Sequence, residues 1–426
     1  MKKNKKTKIV ATIGPASVSV SKLKSMVEAG MNVCRLNFSH GDYAWHRSAI
    51  RNIRKVESEL DVRIGILADL QGPRIRVVNE TSVVLKDGEK VFLTDQKKFA
   101  KSRRKRKIAF DWENFFVYVK EGDDVFIEDG LIRLRVVELL PDGCLAQVVV
   151  AGEVKPHKAV NIPRISSRMD FLTEKDLSDL EFALGQGVDM IAASFVGSEK
   201  DVMLLRQTID VFLKEKHLAP KECRNDYAPW VISKIERRSA IRNLKKILKA
   251  SDGVMVARGD LGIEMPQEKV ALLELDILRQ ARRLKRPVIV ATQMLASMEN
   301  SARPTRAEIS DVTTAVVNHT DAVMLSGESA MGKYPVQTVQ IMADIIREAE
   351  ASSYDNLPLR KNKFWRMILG KDGKYKSRVK TANDLKELLF FSAQRPEQVK
   401  LRLSKKKICD WGKATLLWGV ITDGFQ

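Results

Sequence analysis

Eight short runs of β-branched and other apolar residues, set apart by segments of helical period, restrict this chain more than any other feature. They are KIVATIG (8–14), NVCRLNF (32–38), RIGILADL (63–70), DMIAASFV (189–196), WVISKIE (230–236), GVMVARGD (253–260), RPVIVATQ (286–293) and DAVMLSGE (321–328). Most are followed by amphipathic stretches such as SKLKSMVEAG, AIRNLKKILKA and KVALLELDILRQARRLK, whose apolar residues recur at three and four positions. A continuously apolar strand must be covered on both faces, and alternation with helices achieves that in a parallel sheet. Eight such units close into a barrel of about 250 residues. The expected fold class is α/β, a (β/α)₈ TIM barrel.

One gap breaks the rhythm. Between the third strand and the helix LTEKDLSDLEFALGQG (172–187) lie residues of a different kind, SVVLKDGEKVFLT and DDVFIEDGLIRLRVVELLPDGCLAQVVV, which alternate with period two around Asp-Gly and Pro-Asp-Gly turns. They predict a small inserted β-barrel domain. Catalytic loops of such barrels sit at the C-terminal strand ends, so an insertion after strand three would hang over the site as a lid. The expected division is barrel at 1–76, lid at 77–160, barrel again at 161–350, and a reduced, basic C-terminal module at 351–426.

The totals narrow the class. A chain of 426 residues, 44% hydrophobic and 30% charged, exceeds one ordinary domain and has the composition of a soluble protein. No uncharged apolar stretch is long enough to span a bilayer, and MKKNKKTKIVATIG carries too short an apolar run for an export signal, so a cytoplasmic protein without membrane contact is expected. Four scattered cysteines, Cys34, Cys144, Cys223 and Cys409, form no CxxC pair and argue against a zinc site or a disulfide framework. The net charge of +20 calls for an anionic partner. Residues 351–426 hold 17 Lys or Arg against 7 Asp or Glu, and KKFAKSRRKRK (97–107) is a second basic cluster. Neither interleaves aromatics as a base-stacking surface does, so both read as solvated segments and nucleic acid is not an expected partner.

The strand ends carry the chemistry. In SDGVMVARGDLGIE (251–264) a buried-looking strand runs into Arg258, Gly259 and Asp260. As an adhesion tripeptide this would need an exported protein; at a barrel strand end it is the mouth of a site. Other strand ends supply Arg35, Asn37 and Ser39, Asp69, Ser194, Lys234 and Glu236, and Thr292. Glu236 and Asp260, on adjacent strands, suit a hard cation such as Mg²⁺, which takes one or two carboxylates and completes its shell with water and phosphate oxygens. Arg35, Arg76 and Lys234 supply positive charge for an anionic substrate, and Lys234 can stabilise charge on a transferred phosphoryl group. Gly259, lacking a side chain, lets a ligand approach the backbone, where N–H groups can bind a carboxylate.

KIVATIGPAS, MNVCRLNFSHG, LADLQGPRIR, ISKIE, ASDGVMVARGDLGIE, ATQMLASM, RPTRAEISDV and DAVMLSGESAMGKYP, in this order, resemble the signature blocks of the pyruvate kinase family over roughly residues 7–350. The resemblance implies phosphoryl transfer from phosphoenolpyruvate to ADP, giving pyruvate and ATP in glycolysis, with Mg²⁺ or Mn²⁺. It implies that Lys234, Arg35 and Thr292 are catalytic, Lys234 as transition-state stabiliser. Arg35, Gly259, Asp260, Thr292 and Ser194 would bind substrate, and Glu236 with Asp260 would hold Mg²⁺. Asn37, Arg76 and Lys158 would contact the nucleotide. Asn37, Ser39, Asp69 and the carbonyl of Leu70 correspond to a K⁺ site.

Two departures matter. Members that need K⁺ carry Glu in the GP-x-IR stretch and Thr after the Asp, whereas Arg74 and Leu70 stand here, so K⁺ is expected to be dispensable. Only 76 residues follow position 350, and of them ATLLWGVITDG alone faintly matches the family's C-terminal domain. A reduced module without sugar-phosphate activation is expected, in a homo-oligomer, dimer or tetramer, held through the barrel. Two other classes compete with the enzyme: a catalytically impaired relative and a basic nucleic-acid-binding protein.

Overall fold

The computed structural model describes residues 5–128, 130–165, 169–215 and 228–354. Eight parallel strands form a closed barrel: β1 (Lys8–Thr12), β2 (Val33–Asn37), β3 (Gly65–Asp69), β4 (Met190–Ala193), β5 (Trp230–Ile235), β6 (Gly253–Ala257), β7 (Val288–Ala291) and β8 (Ala322–Leu325). Each pairs with its neighbours in sequence, and β1 closes on β8 with Lys8 opposite Ala322. All eight expected strands are present. Several end earlier than their apolar runs, most consequentially β6, which stops at Ala257; Arg258–Glu264 is the first turns of a helix. Asp260 therefore stands on a short helix and not on the strand itself.

Side-chain parity divides the barrel. Val10, Val33, Leu67, Ala192, Ile232, Met255, Ala291 and Met324, drawn from all eight strands, pack on one another as the lumen core. Their neighbours Ile9, Ala11, Cys34, Ile66, Ile191, Val254 and Val290 face the helical layer. Both faces are buried, which explains unbroken apolar strands in place of apolar-polar alternation.

The residues between β3 and the helix Glu174–Gly185 form the inserted β-domain. Its main sheet has seven strands in the order Ile75–Arg76, Ala159–Asn161, Asp124–Ile127, Ile132–Leu140, Gly143–Val150, Lys90–Asp95 and Lys107–Phe110. A Val77–Phe110 bridge joins the two edges, so the sheet curls into a small barrel around its own core of Val91, Phe110, Phe115, Leu134 and Val136. The Pro-Asp-Gly turn closes the Ile132–Leu140/Gly143–Val150 hairpin as its sequence predicts, but Asp87-Gly88 does not close one. It sends the chain from a two-stranded ribbon, Val83–Leu85 with Gly152–Val154, into the main sheet.

One buried carboxylate ties both connections of this insertion to the barrel. Asp176 closes a capping box with Thr173 at the returning helix, and its other oxygen accepts from the Gly72 amide at 2.9 Å in the outgoing segment. Gly72 has φ +68, and a Cβ there would lie 2.8 Å from Ser194 and 2.9 Å from the Phe195 ring, so only glycine fits. No helix among the described residues is long and apolar enough to cross a membrane. The expected C-terminal module, and Cys223 and Cys409, lie outside the described residues or almost wholly so.

Candidate active site

Continuing the lumen parity by two or four residues past the core brings Thr12, Arg35, Asn37, Asp69, Ser194, Lys234 and Glu236 to the C-terminal mouth. Apolar residues below exclude water from their stems, and charged groups above face a cavity of about 1400 Å³. Arg35, Asn37, Lys234, Gly259, Asp260 and Thr292 all line that cavity, and Phe126 and Gly130 of the inserted domain line it from the opposite side.

Lys234 is the hub. Its ammonium lies 2.9 Å from Glu236 Oε1 and 3.3 Å from Asp69 Oδ1, and it donates to Ser194 Oγ at 2.7 Å. The Ser194 hydroxyl in turn donates a hydrogen bond to the Leu70 carbonyl at 2.7 Å. The second oxygen of Asp69 takes both Nε and Nη2 of Arg35 at 2.7 Å, and Arg35 Nη1 donates to Thr12 Oγ1 at 2.9 Å. Burial opposes the charges of Asp69, Lys234 and Glu236, yet pairing prevails in two of the three. For Asp69 burial pushes the pKa up, but Lys234 and Arg35 outweigh it and hold the carboxyl below its usual range. For Lys234 burial pulls down, and Asp69, Glu236 and Asp260 outweigh it, so the ammonium stays charged. Glu236 goes the other way: burial, reinforced by the charge of Asp260, raises its pKa against the pull of Lys234.

That last imbalance bears on a cation. Glu236 Oε2 accepts from the Phe195 amide at 2.6 Å, while Oε1 has Lys234 beside it and no hydrogen-bond donor aligned to it. Glu236, whose cost of ionisation the charge of Asp260 raises, and Asp260, which lines the open cavity, fit a divalent ion with few protein ligands and water or phosphate in its other positions. A donor set of carboxylate oxygens is the chemistry of a hard cation such as Mg²⁺ or Mn²⁺; among the described residues no group of three His, Cys, Asp or Glu comes together.

The RGD turn that looked like one motif divides its labour. Arg258 points into an acidic pair, 2.7 Å from Asp311 and 3.4 Å from Glu274, and donates through Nη2 to the Thr292 carbonyl at 2.8 Å. Gly259 donates its amide to Thr292 Oγ1 at 2.9 Å, and a Cβ on Gly259 would touch nothing nearer than that hydroxyl at 3.7 Å. The space beside it opens into the cavity. Thr292 has φ +71 and Phe195 φ +57. A β-branched residue there is strained by about 1–3 kcal/mol, and Arg258 and Gly259 are what hold it.

The remaining expected residues are less central. Asn37 and Asp69 are register partners on β2 and β3, and Asn37 Oδ1 accepts from the Ser39 amide at 3.1 Å, so the segments that carry the four expected K⁺ ligands lie side by side. The oxygens of Asp69 and Leu70 among them are already engaged by Arg35, Lys234 and Ser194. Arg76 and Lys158 lie at paired lid strands, with Arg76 donating to the His157 carbonyl at 3.1 Å and Lys158 joined to Glu128. Neither lines the cavity in this conformation. Sequence reasoning missed Thr12, Phe195 and Asp176. Thr12 could have been found from the lumen parity of β1; Phe195 and Asp176 act through a backbone amide and a hinge contact that no local pattern signals.

A family model described as the barrel domain of pyruvate kinase matches residues 4–339. The chain is 43% identical over 350 residues to a pyruvate kinase of Bacillus licheniformis, an overlap covering 81% of this chain and 57% of that protein. It is 42% identical over 347 residues to a pyruvate kinase of Thermococcus litoralis, covering 81% and 70%. With pyruvate kinase 1 of Trypanosoma brucei brucei it shares 39% identity over 358 residues, covering 83% and 69%. The match thus spans little more than half of the bacterial relative's length.

Proposed function

The chain belongs to the pyruvate kinase family, and on that premise we propose that it transfers the phosphoryl group of phosphoenolpyruvate to ADP, giving pyruvate and ATP. The observation that carries the proposal is the Lys234 hub: a buried, charged ammonium held by Asp69, Glu236 and Ser194 at the floor of a cavity roofed by the inserted domain.

The chain's own groups divide the task. The amides at the start of Arg258–Glu264 and the Thr292 hydroxyl bind the substrate carboxylate, with Gly259 leaving the approach open. Arg35, fixed at three points, and Lys234 face the phosphoryl group as it leaves the enol oxygen for the β-phosphate of ADP. Because both cations are anchored before substrate arrives, they need no reorganisation as charge develops. The enolate left behind then takes up a proton at its methylene carbon to give pyruvate. Glu236 and Asp260 would hold Mg²⁺ or Mn²⁺, which supplies neutralising charge for the phosphoryl oxygens when bound. Asn37, Arg76 and Lys158 are the nucleotide contacts in this reading, the latter two delivered by the inserted domain acting as a lid. A homodimer through the barrel is the minimum assembly we assign, the helix Arg306–Val317 being complete with its capping box.

A coupled assay for pyruvate formation from phosphoenolpyruvate and ADP tests the activity directly. Lys234→Met should lower kcat by a factor on the order of 10²–10³, the usual effect of deleting one preorganised charge-stabilising donor. Near-normal turnover of the folded variant would sink the assignment. Wild-type protein that binds phosphoenolpyruvate without turning over would favour the impaired relative instead.

A further inference from the structure

Phe195 follows Ser194 just past the end of β4 with φ +57, in the left-handed region that a phenylalanine adopts only where its surroundings impose it. Its amide is thereby turned onto Glu236 and donates to Oε2 at 2.6 Å. The other oxygen, Oε1, has Lys234 beside it and no donor aligned to it. That amide and Lys234 are what orient the buried carboxylate.

The Phe195 ring is in turn held from three segments. It is 8% exposed, with the guanidinium carbons of Arg237 and Arg74 at 5.1 and 5.4 Å from its centroid. The outgoing segment packs on it as well, since a Cβ on Gly72 would lie 2.9 Å from the ring. Arg237, the residue after Glu236, is buried, and its Nε finds no hydrogen-bond partner. A cation shielded from water gains most from an aromatic face. The backbone of Phe195 cannot relax towards an extended conformation without drawing the ring out of these contacts.

We propose that Phe195 is a positioning residue for the divalent-metal site: Arg237 and Arg74 hold its ring, the ring holds the left-handed backbone, and the backbone amide aims the Glu236 carboxylate. This rests on the reading of Glu236 and Asp260 as the metal pair. The test is Mn²⁺ binding to the full chain, read from the electron paramagnetic resonance signal of the free ion, without nucleotide or phosphoenolpyruvate and below each variant's melting temperature. Phe195→Leu keeps an apolar side chain at the strained position but loses the aromatic face, so Mn²⁺ should bind about tenfold more weakly. Phe195→Gly deletes more packing yet adopts φ +57 without steric cost, so it should weaken binding by about threefold at most. A role in packing alone gives the opposite order, and a glycine variant as weak as the leucine variant or weaker would overturn the proposal, as would wild-type affinity in Phe195→Leu. Arg237→Met adds a test of sign. Deleting a positive charge one residue from Glu236 should by Coulomb's law tighten the hold on a cation, whereas lost positioning should weaken it, by about threefold or more. Unchanged or tighter binding would count against the proposal and overturn the part given to Arg237. Glu236→Gln checks the underlying reading separately: wild-type Mn²⁺ affinity there would remove Glu236 as a ligand and both readings with it, while loss of the ion there and its retention in Phe195→Leu would remove only the role of Phe195.

Discussion

Arg258 shows how a residue in a motif can be committed to the protein's own groups. Its guanidinium is spent on Asp311, Glu274 and the Thr292 carbonyl, and through that carbonyl it holds a strained threonine in place. Arg258→Met should therefore act through the substrate carboxylate: KM for phosphoenolpyruvate rises about tenfold or more, the loss of a hydrogen bond to a charged group, while kcat moves less. Steady-state kinetics read the split, and a pure kcat effect would contradict it. Lys234 carries a second duty of the same kind. It neutralises two fully buried carboxylates, Asp69 and Glu236, so its replacement by Met also lowers stability by several kcal/mol, and its kinetics belong below the variant's own melting temperature.

At the scale of elements, two helix starts fasten the barrel's working end. The Glu308 carboxylate accepts from the Ser297 amide at 2.7 Å, the Thr305 amide at 2.7 Å and both their hydroxyls, linking the loop after β7 to the helix Arg306–Val317. Burial raises its pKa, but those hydrogen bonds outweigh burial and the net shift is downward. A carboxyl depressed on folding contributes stability that is full above its unfolded pKa, about 4.3, and lost as pH falls through the lower folded value. Glu308→Gln should cost about 1 kcal/mol at neutral pH and less as the solution is acidified towards pH 3, measured by denaturant unfolding. An equal cost at both ends of that range would refute the account. Asp176 is the corresponding clamp for the inserted domain. Asp176→Ala strips acceptors from the Gly72 and Thr173 amides, so hydrogen exchange at Gly72 should accelerate at least tenfold while the strands of the barrel keep their protection. Unchanged exchange at Gly72 would show that the hinge is held by something else.

Across the whole molecule, the contact between lid and barrel is the ground on which we propose that K⁺ is dispensable. Arg74, in the segment that leaves the barrel for the insertion, reaches 3.8 Å from Asp260 Oδ1 and lies over the Phe195 ring at 5.4 Å, while Arg237 covers Phe195 at 5.1 Å. A guanidinium seated there brings to the cleft the positive charge a monovalent cation would otherwise provide. Two of the four expected K⁺ ligands, Asp69 and Leu70, are meanwhile engaged by protein donors. Full turnover is expected in buffer free of Na⁺ and K⁺, and a many-fold rise on adding KCl would overturn this.

Two local periods in the sequence were enough for the architecture. Apolar strands alternating with helical stretches demand a parallel sheet covered on both faces, and period two along KIVAT, VCRLN or WVISKI already assigns Arg35 and Lys234 to the same side as Val33 and Ile232. What the sequence left open was partnership. Whether Lys234 would choose Asp69, Ser194 or a ligand, and whether Asp260 would sit on a strand or on a short helix, depended on residues dozens to more than a hundred positions apart meeting in one register. Asp176 meeting Gly72 is of the same kind. Periodicity follows from backbone geometry and is written locally; pairing is a competition among buried charges for a few low-dielectric positions, and only the closed barrel with its insertion folded over it determines which groups compete.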